Sequence, residues 1–186
     1  MATYITIRPA GTSPAEQDAL DRAIDEIILS SDRAAAIVAA AFVEDYLTTA
    51  LQQKLVHDQA ALAEMFGSGP LGTFSAKIKL AYLIGLCSKE SANCLNTIRK
   101  IRNTFAHNIS ISSFEEPRIR DLTNNLSVPE KYKVTLVAEE NQTPIHLFSE
   151  PITTARQRFV TSCQMLLFAF IMARHVRPPA LDQPII

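Results

Sequence analysis

From Arg33 to Val56 the chain reads RAAAIVAAAFVEDYLTTALQQKLV, and this alanine-rich run constrains the possible folds more than any other segment. Alanine is the best helix former and nothing in the run breaks a helix. Its small side chains permit close packing, while Ile37, Val38, Ala41, Phe42 and Leu51 need burial. The segment therefore predicts a core helix, started at Ser31-Asp32 and enclosed by other helices. Upstream, Ser13-Pro14-Ala15-Glu16 joins an N-cap serine, a proline at the first helical position and a glutamate three residues after the cap. Leu20, Ile24, Ile27 and Ile28 follow at spacings of three and four, so a first helix is predicted to end near Ser30.

Gly67-Ser68-Gly69-Pro70 and Gly72 form a loop, since this density of glycine and proline cannot continue a helix. Helix is predicted again from about Thr73 to Leu86, and from Ser88 through KESANCLNTIRKIRNTFAHN. There Cys94, Ile98, Ile101 and Phe105 make the buried stripe, and Arg99, Arg102, Asn103, Ala106 and His107 fall on another face. Residues 108–149 are polar and proline-punctuated, with a short helix expected from Pro117 to Leu126 and strand-like alternation in KYKVTLVAEE. Pro151 opens a long helix to about Arg177, stopped by Pro178-Pro179. The expected fold is all-α: one helical bundle over residues 13–177, less regular at 108–149, with an extension at 1–12 and a tail at 178–186.

With 186 residues and 47% hydrophobic content, the chain has material for one buried core. The apolar stretch FVTSCQMLLFAFIMA, Phe159 to Ala173, falls short of the roughly 20 residues a membrane span needs and reads as a core helix. No leader pattern is visible in MATYITIRPAGTSP, so a cytoplasmic location is expected, with no membrane association. Cys87, Cys94 and Cys163 show no CxxC spacing and read as reduced, mostly buried thiols.

Charge is unevenly placed. Residues 1–70 carry four Lys/Arg against ten Asp/Glu, whereas residues 71–107 carry six against one, within a net charge of −1. That balance argues against a sequence-specific DNA reader, which needs a larger basic footprint.

Asn103 and His107 share a helical face, with Arg99 one turn before Arg102 and Asn103. An imidazole can move a proton near neutrality, and a guanidinium can hold a phosphate or carboxylate. His107 with Arg102 could thus serve metal-free RNA cleavage, the first as base toward a ribose hydroxyl and the second stabilising charge on phosphorus. The structural alternative is a helix end favouring positive charge, with Asn108 as a left-handed cap. Glu44 and Asp45 interrupt the apolar helix. Asp45 continues the Ile37–Ala41 line, and a core-facing carboxylate needs a partner such as Arg99 or Arg102. His57, His146 and His175 lack partners at metal-ligand spacing, so neither a metal nor a cofactor is expected. The Gly67–Gly72 loop lacks the ending of a phosphate-binding P-loop, and Tyr46, Phe66, Phe74 and Phe105 read as core.

RNTFAH is similar to the Arg-Asn-x-x-x-His motif of HEPN domains, small helical bundles that often dimerise. The segments AAAIVAAAFVEDYLTTALQQKL, GPLGTFSAKIKLAYLIGL and LNTIRKIRNTFAHN, in that order, resemble the core of the mannitol operon repressor family over Arg33 to Phe114. The first resemblance implies a ribonuclease with Arg102, Asn103 and His107 in a composite dimer site. The second implies a transcriptional regulator, and with no helix-turn-helix recognisable it would act through protein partners or a small ligand. A third reading has Arg99 and Arg102 hold a small anion. Expected partners are accordingly a second copy of the chain, another protein or an anionic ligand, with RNA only under the ribonuclease reading.

Overall fold

The computed structural model describes residues 13–127, 135–136, 145–146 and 152–174. Helix α1, Pro14–Leu29, leads into α2, Asp32–Gln52, whose N-cap Ser31 accepts from the Ala34 backbone N–H. Asp58 then caps α3, Gln59–Phe66, and Thr73 caps α4, Phe74–Leu83. Ser88 caps α5, Lys89–His107, which is followed by α6, Pro117–Asn124, and α7, Ala155–Arg174. Between α6 and α7 the strands Thr135–Leu136 (β1) and Ile145–His146 (β2) pair antiparallel, Thr135 opposite His146. The strand-like alternation of KYKVTLVAEE thus contains β1. Residues 1–12 and 178–186, with His175, lie outside the described residues.

The second helix is shorter than its composition suggests. It stops at Gln52, and Asp58 starts a separate helix by accepting from the Ala60 and Ala61 N–H groups. After α3, the loop N–H groups of Gly67 and Gly69 donate back to the carbonyls of Ala63 and Glu64. These donors are spent on the end of α3 and are not free to cradle an anion. A Cβ at Gly69 would lie 2.6 Å from the Glu64 oxygen, so glycine is required there.

α2 is the central helix and packs on α1, α4, α5 and α7. Its buried stripe is Ala35, Ala36, Ala39, Ala40, Val43, Leu47, Ala50 and Leu51. This corrects the expectation that Ile37, Ala41 and Asp45 face inward: all three are exposed, and Val38 and Phe42 are half-buried. The alanines themselves form the contact surface, because their small side chains let neighbouring backbones come close, and Ile37 sits about 100° around the helix from Ala36. By length and composition α2 could cross a membrane, with 21 residues and a mean hydropathy of 1.5 over its most apolar window. Here its apolar stripe is covered by other helices of the bundle.

Phe105 of α5, Phe114 of the following loop and Phe159 of α7 stack through the core, with ring centroids 5.0 and 5.2 Å apart. Tilted pairs at such distances add to burial through their quadrupoles. Phe66 and Phe74 are also buried and Tyr46 is half-buried, as expected of core aromatics.

Candidate functional site

α5 has a buried edge of Ala92, Cys94, Leu95, Ile98, Ile101 and Phe105 and two polar flanks. One flank meets α2 and α4. There Glu44 is held from both sides: Lys77 Nζ donates to Oε1 at 3.0 Å, and Arg102 Nη2 donates to Oε2 at 3.3 Å. Side-chain exposure is 10% for Lys77, 21% for Glu44 and 32% for Arg102, so the carboxylate is shared between one buried and one half-buried cation. Such an arrangement keeps a charge stable away from water by giving each oxygen its own donor.

Of the two acidic residues singled out in the sequence, Glu44 therefore carries the contact. Asp45 is exposed on the neighbouring face, and its carbonyl accepts from Thr49 Oγ1. Arg99 does not reach Glu44. Its Nη2 donates to Asn96 Oδ1 at 3.4 Å, and its buried Nε has no partner among the described residues. Lys77 was missed by sequence reasoning, although Phe74, Lys77, Ile78 and Ala81 follow a helical stripe that places it inward.

The other flank faces α6. Lys100, Asn103 and Thr104 of α5 look across at Arg118, Asp121 and Leu122 of α6, around an open groove of about 500 Å³. A second concavity of about 260 Å³ shares Asn103, Thr104 and Arg118 with it and adds His107 and Asn108. The Arg-Asn-x-x-x-His motif is thus divided by the helix that carries it. Arg102 turns to Glu44, while Asn103 and His107 line the groove. His107 is exposed, and no hydrogen bond orients its ring among the described residues.

The end of α5 is fixed from outside. The guanidinium of Arg33 reaches the carbonyl of Phe105, and its Nη2 donates to the carbonyls of Asn108 at 3.2 Å and Ile109 at 2.9 Å and to that of Ile111. Asn108 is extended, with φ −122°, rather than a left-handed cap, and its Oδ1 accepts from the Ser110 N–H and hydroxyl. An arginine from another helix does the capping that the sequence assigned to Asn108. Its neighbour Asp32 accepts from Arg156 at 2.6 Å and from the Phe114 N–H at 2.8 Å. Arg156 also donates to the carbonyls of Ile27, Ile28 and Ser30, closing the end of α1.

The remaining reactive side chains are quiet. Burial pushes the Cys87 thiol up to about 11, and the fully enclosed Cys163 thiol is pushed up further by the same cause. Among the described residues no group of His, Cys, Asp or Glu gathers as metal ligands would. His57 is exposed beside a concavity between α2 and α3.

Fold and site together define a helical domain with a carboxylate shared by two cations on one flank of α5 and an open polar groove on the opposite flank of the same helix. A family model described as "Mannitol repressor" matches residues 31–174, and the chain belongs to that family. Comparisons with curated proteins and with solved structures gave no match.

Proposed function

We propose that this chain is a non-catalytic transcription regulator of the mannitol-repressor type, acting in the cytoplasm through a protein partner or small ligand rather than by reading DNA. The family supports the regulatory role. The commitment of Arg102 to Glu44 carries the non-catalytic part. The Arg102 guanidinium is drawn to Glu44 on the flank facing α2 and α4, away from the concavity that His107 lines, and His107 lacks an orienting partner among the described residues. The net charge of −1 supports the absence of sequence-specific DNA binding. We further propose a homodimer, with Asn103, His107 and Asp45 open to ligand or partner.

Exposure of His107, with about a third of the Arg102 side chain accessible, favours a second reading as a metal-independent ribonuclease whose site is completed across a dimer. The deciding experiment incubates the purified chain with single-stranded RNA and chelator, beside Arg102→Ala and His107→Ala, and runs duplex mobility shifts in parallel. No cleavage and no sequence-selective duplex binding are expected. Cleavage lost in both variants, with both still folded, would replace the regulator by the ribonuclease.

A further inference from the structure

We infer that the groove between α5 and α6 binds a small phosphate monoester, and that this is the ligand through which the regulator proposed above responds. The argument begins from packing. Where two helices lie side by side, positions i, i+3, i+4 and i+7 of each supply the seam, and in a bundle those positions are apolar. On α5 this row is Lys100, Asn103, Thr104 and His107; on α6 and its C-cap it is Arg118, Asp121, Leu122 and Asn125. Leu122 alone is apolar. The apolar residues of the two helices, Ile101 and Phe105 of α5 and Ile119 of α6, are buried in the core, and the polar rows remain open beside them.

The bonding capacity of that seam is largely unused. Lys100, Asn103, His107, Arg118 and Asp121 make no side-chain hydrogen bond or ion pair among the described residues. Arg102, on the opposite flank of the same helix, is engaged. Lys100 and Arg118 bring an ammonium and a guanidinium fork to the larger groove with the Asn103 amide, and His107 adds an imidazole at the adjoining concavity, two helical turns from Lys100. Together they offer more donors than the two oxygens of a carboxylate can accept, and match the three terminal oxygens of a phosphate monoester. Asp121 is the one anion in the lining; it lowers affinity for phosphate and can accept from a hydroxyl of the ester. The volume of about 500 Å³ is that of a small-molecule site. A nucleic-acid track would need a longer basic surface, against the net charge of −1.

Isothermal titration of the whole chain with inorganic phosphate, glycerol 3-phosphate and AMP, at constant ionic strength, tests this. Saturable binding is expected, weakened about tenfold by Arg118→Ala and about tenfold by Lys100→Ala, and strengthened several-fold by Asp121→Asn. Lys79→Ala, an exposed cation on α4, should leave it unchanged. All sites but Thr104 and Leu122 are surface polar groups, so thermal melts of these variants should match the parent. Equal affinity for glycerol 3-phosphate and AMP identifies the phosphate as the recognised group, and a marked preference for AMP identifies a nucleotide; both support the site. Absence of saturation with all three probes overturns it, as does equal weakening by Lys79→Ala. Binding of single-stranded RNA that none of the three displaces also overturns it, in favour of a nucleic-acid surface. RNA cleavage would remove the regulator reading without touching this result, so the two failures are distinguishable.

Discussion

The two flanks of α5 carry similar residues and treat them oppositely. Toward α2 and α4, Arg102 and Lys77 meet one half-buried carboxylate; toward α6, Lys100, Asn103, His107 and Arg118 line two adjoining open concavities. Charge alone therefore does not mark a binding surface. What separates the flanks is whether an acid stands opposite: Glu44 does on one side, and on the other Asp121 sits beside Arg118 without pairing to it.

The largest difference in reactivity is expected at the thiols. Cys94 lies on the buried edge of α5, and it and Cys163 should be inert to Ellman's reagent until the chain is unfolded. At pH 8 an ordinary thiol with a value near 9 is about one-tenth ionised, whereas Cys87 at about 11 is about one-thousandth ionised. Cys87 should thus react about a hundredfold more slowly in the native chain than in urea. Fast native labelling of Cys94 would show that the closed edge opens.

Next in size is Glu44→Ala, which strands the buried Lys77 beside Arg102 and should lower stability by about 3 kcal/mol in a urea melt. Were Arg102 the sole partner of Glu44, Arg102→Ala would strand a buried acid at about 3 to 5 kcal/mol. Lys77 remains to hold the acid, so a loss of about 1 kcal/mol is expected. A loss as large as that of Glu44→Ala would mean that Lys77 does not share the load. Smallest are His107→Ala and Arg118→Ala on the open flank, each expected within about 0.5 kcal/mol of the parent. A larger loss at His107 would make the groove part of the framework.

Much of this was legible beforehand. The capped starts at Ser31, Thr73 and Ser88 fall where the sequence puts them, because an N-cap is a local bond between a side chain and a backbone group three residues on. The Glu44–Arg102 contact was among the pairings open to the sequence, although the spacing that called for a partner pointed to Asp45, which is exposed. The inward face of α2 was not legible by size: Ile37 outweighs Ala36 in hydrophobicity, but the position packed most closely by other helices admits only a small side chain. The α5–α6 groove escaped because each row of polar residues looks like a solvated face until the two helices are set side by side. Arg33 and Arg156 escaped for a stronger reason: their acceptors lie 72 or more residues away, and no local spacing reports such a bond.

Those two arginines also tie together segments that are made far apart in time. The end of α1 is closed by Arg156, whose acceptors Ile27 and Ile28 lie 129 and 128 residues earlier. As the chain leaves the ribosome, the carbonyls at the end of α1 keep water as their partner until α7 has been made and docked. Such distant partners impose a large loop-closure entropy before they return any bond energy, which slows folding relative to a bundle of local hairpins. A stalled or truncated product lacking α7 would expose the alanine face of α2 as well as the frayed end of α1. Such a fragment would be a natural client for chaperones and proteases, because the last helix supplies the donors that close the first.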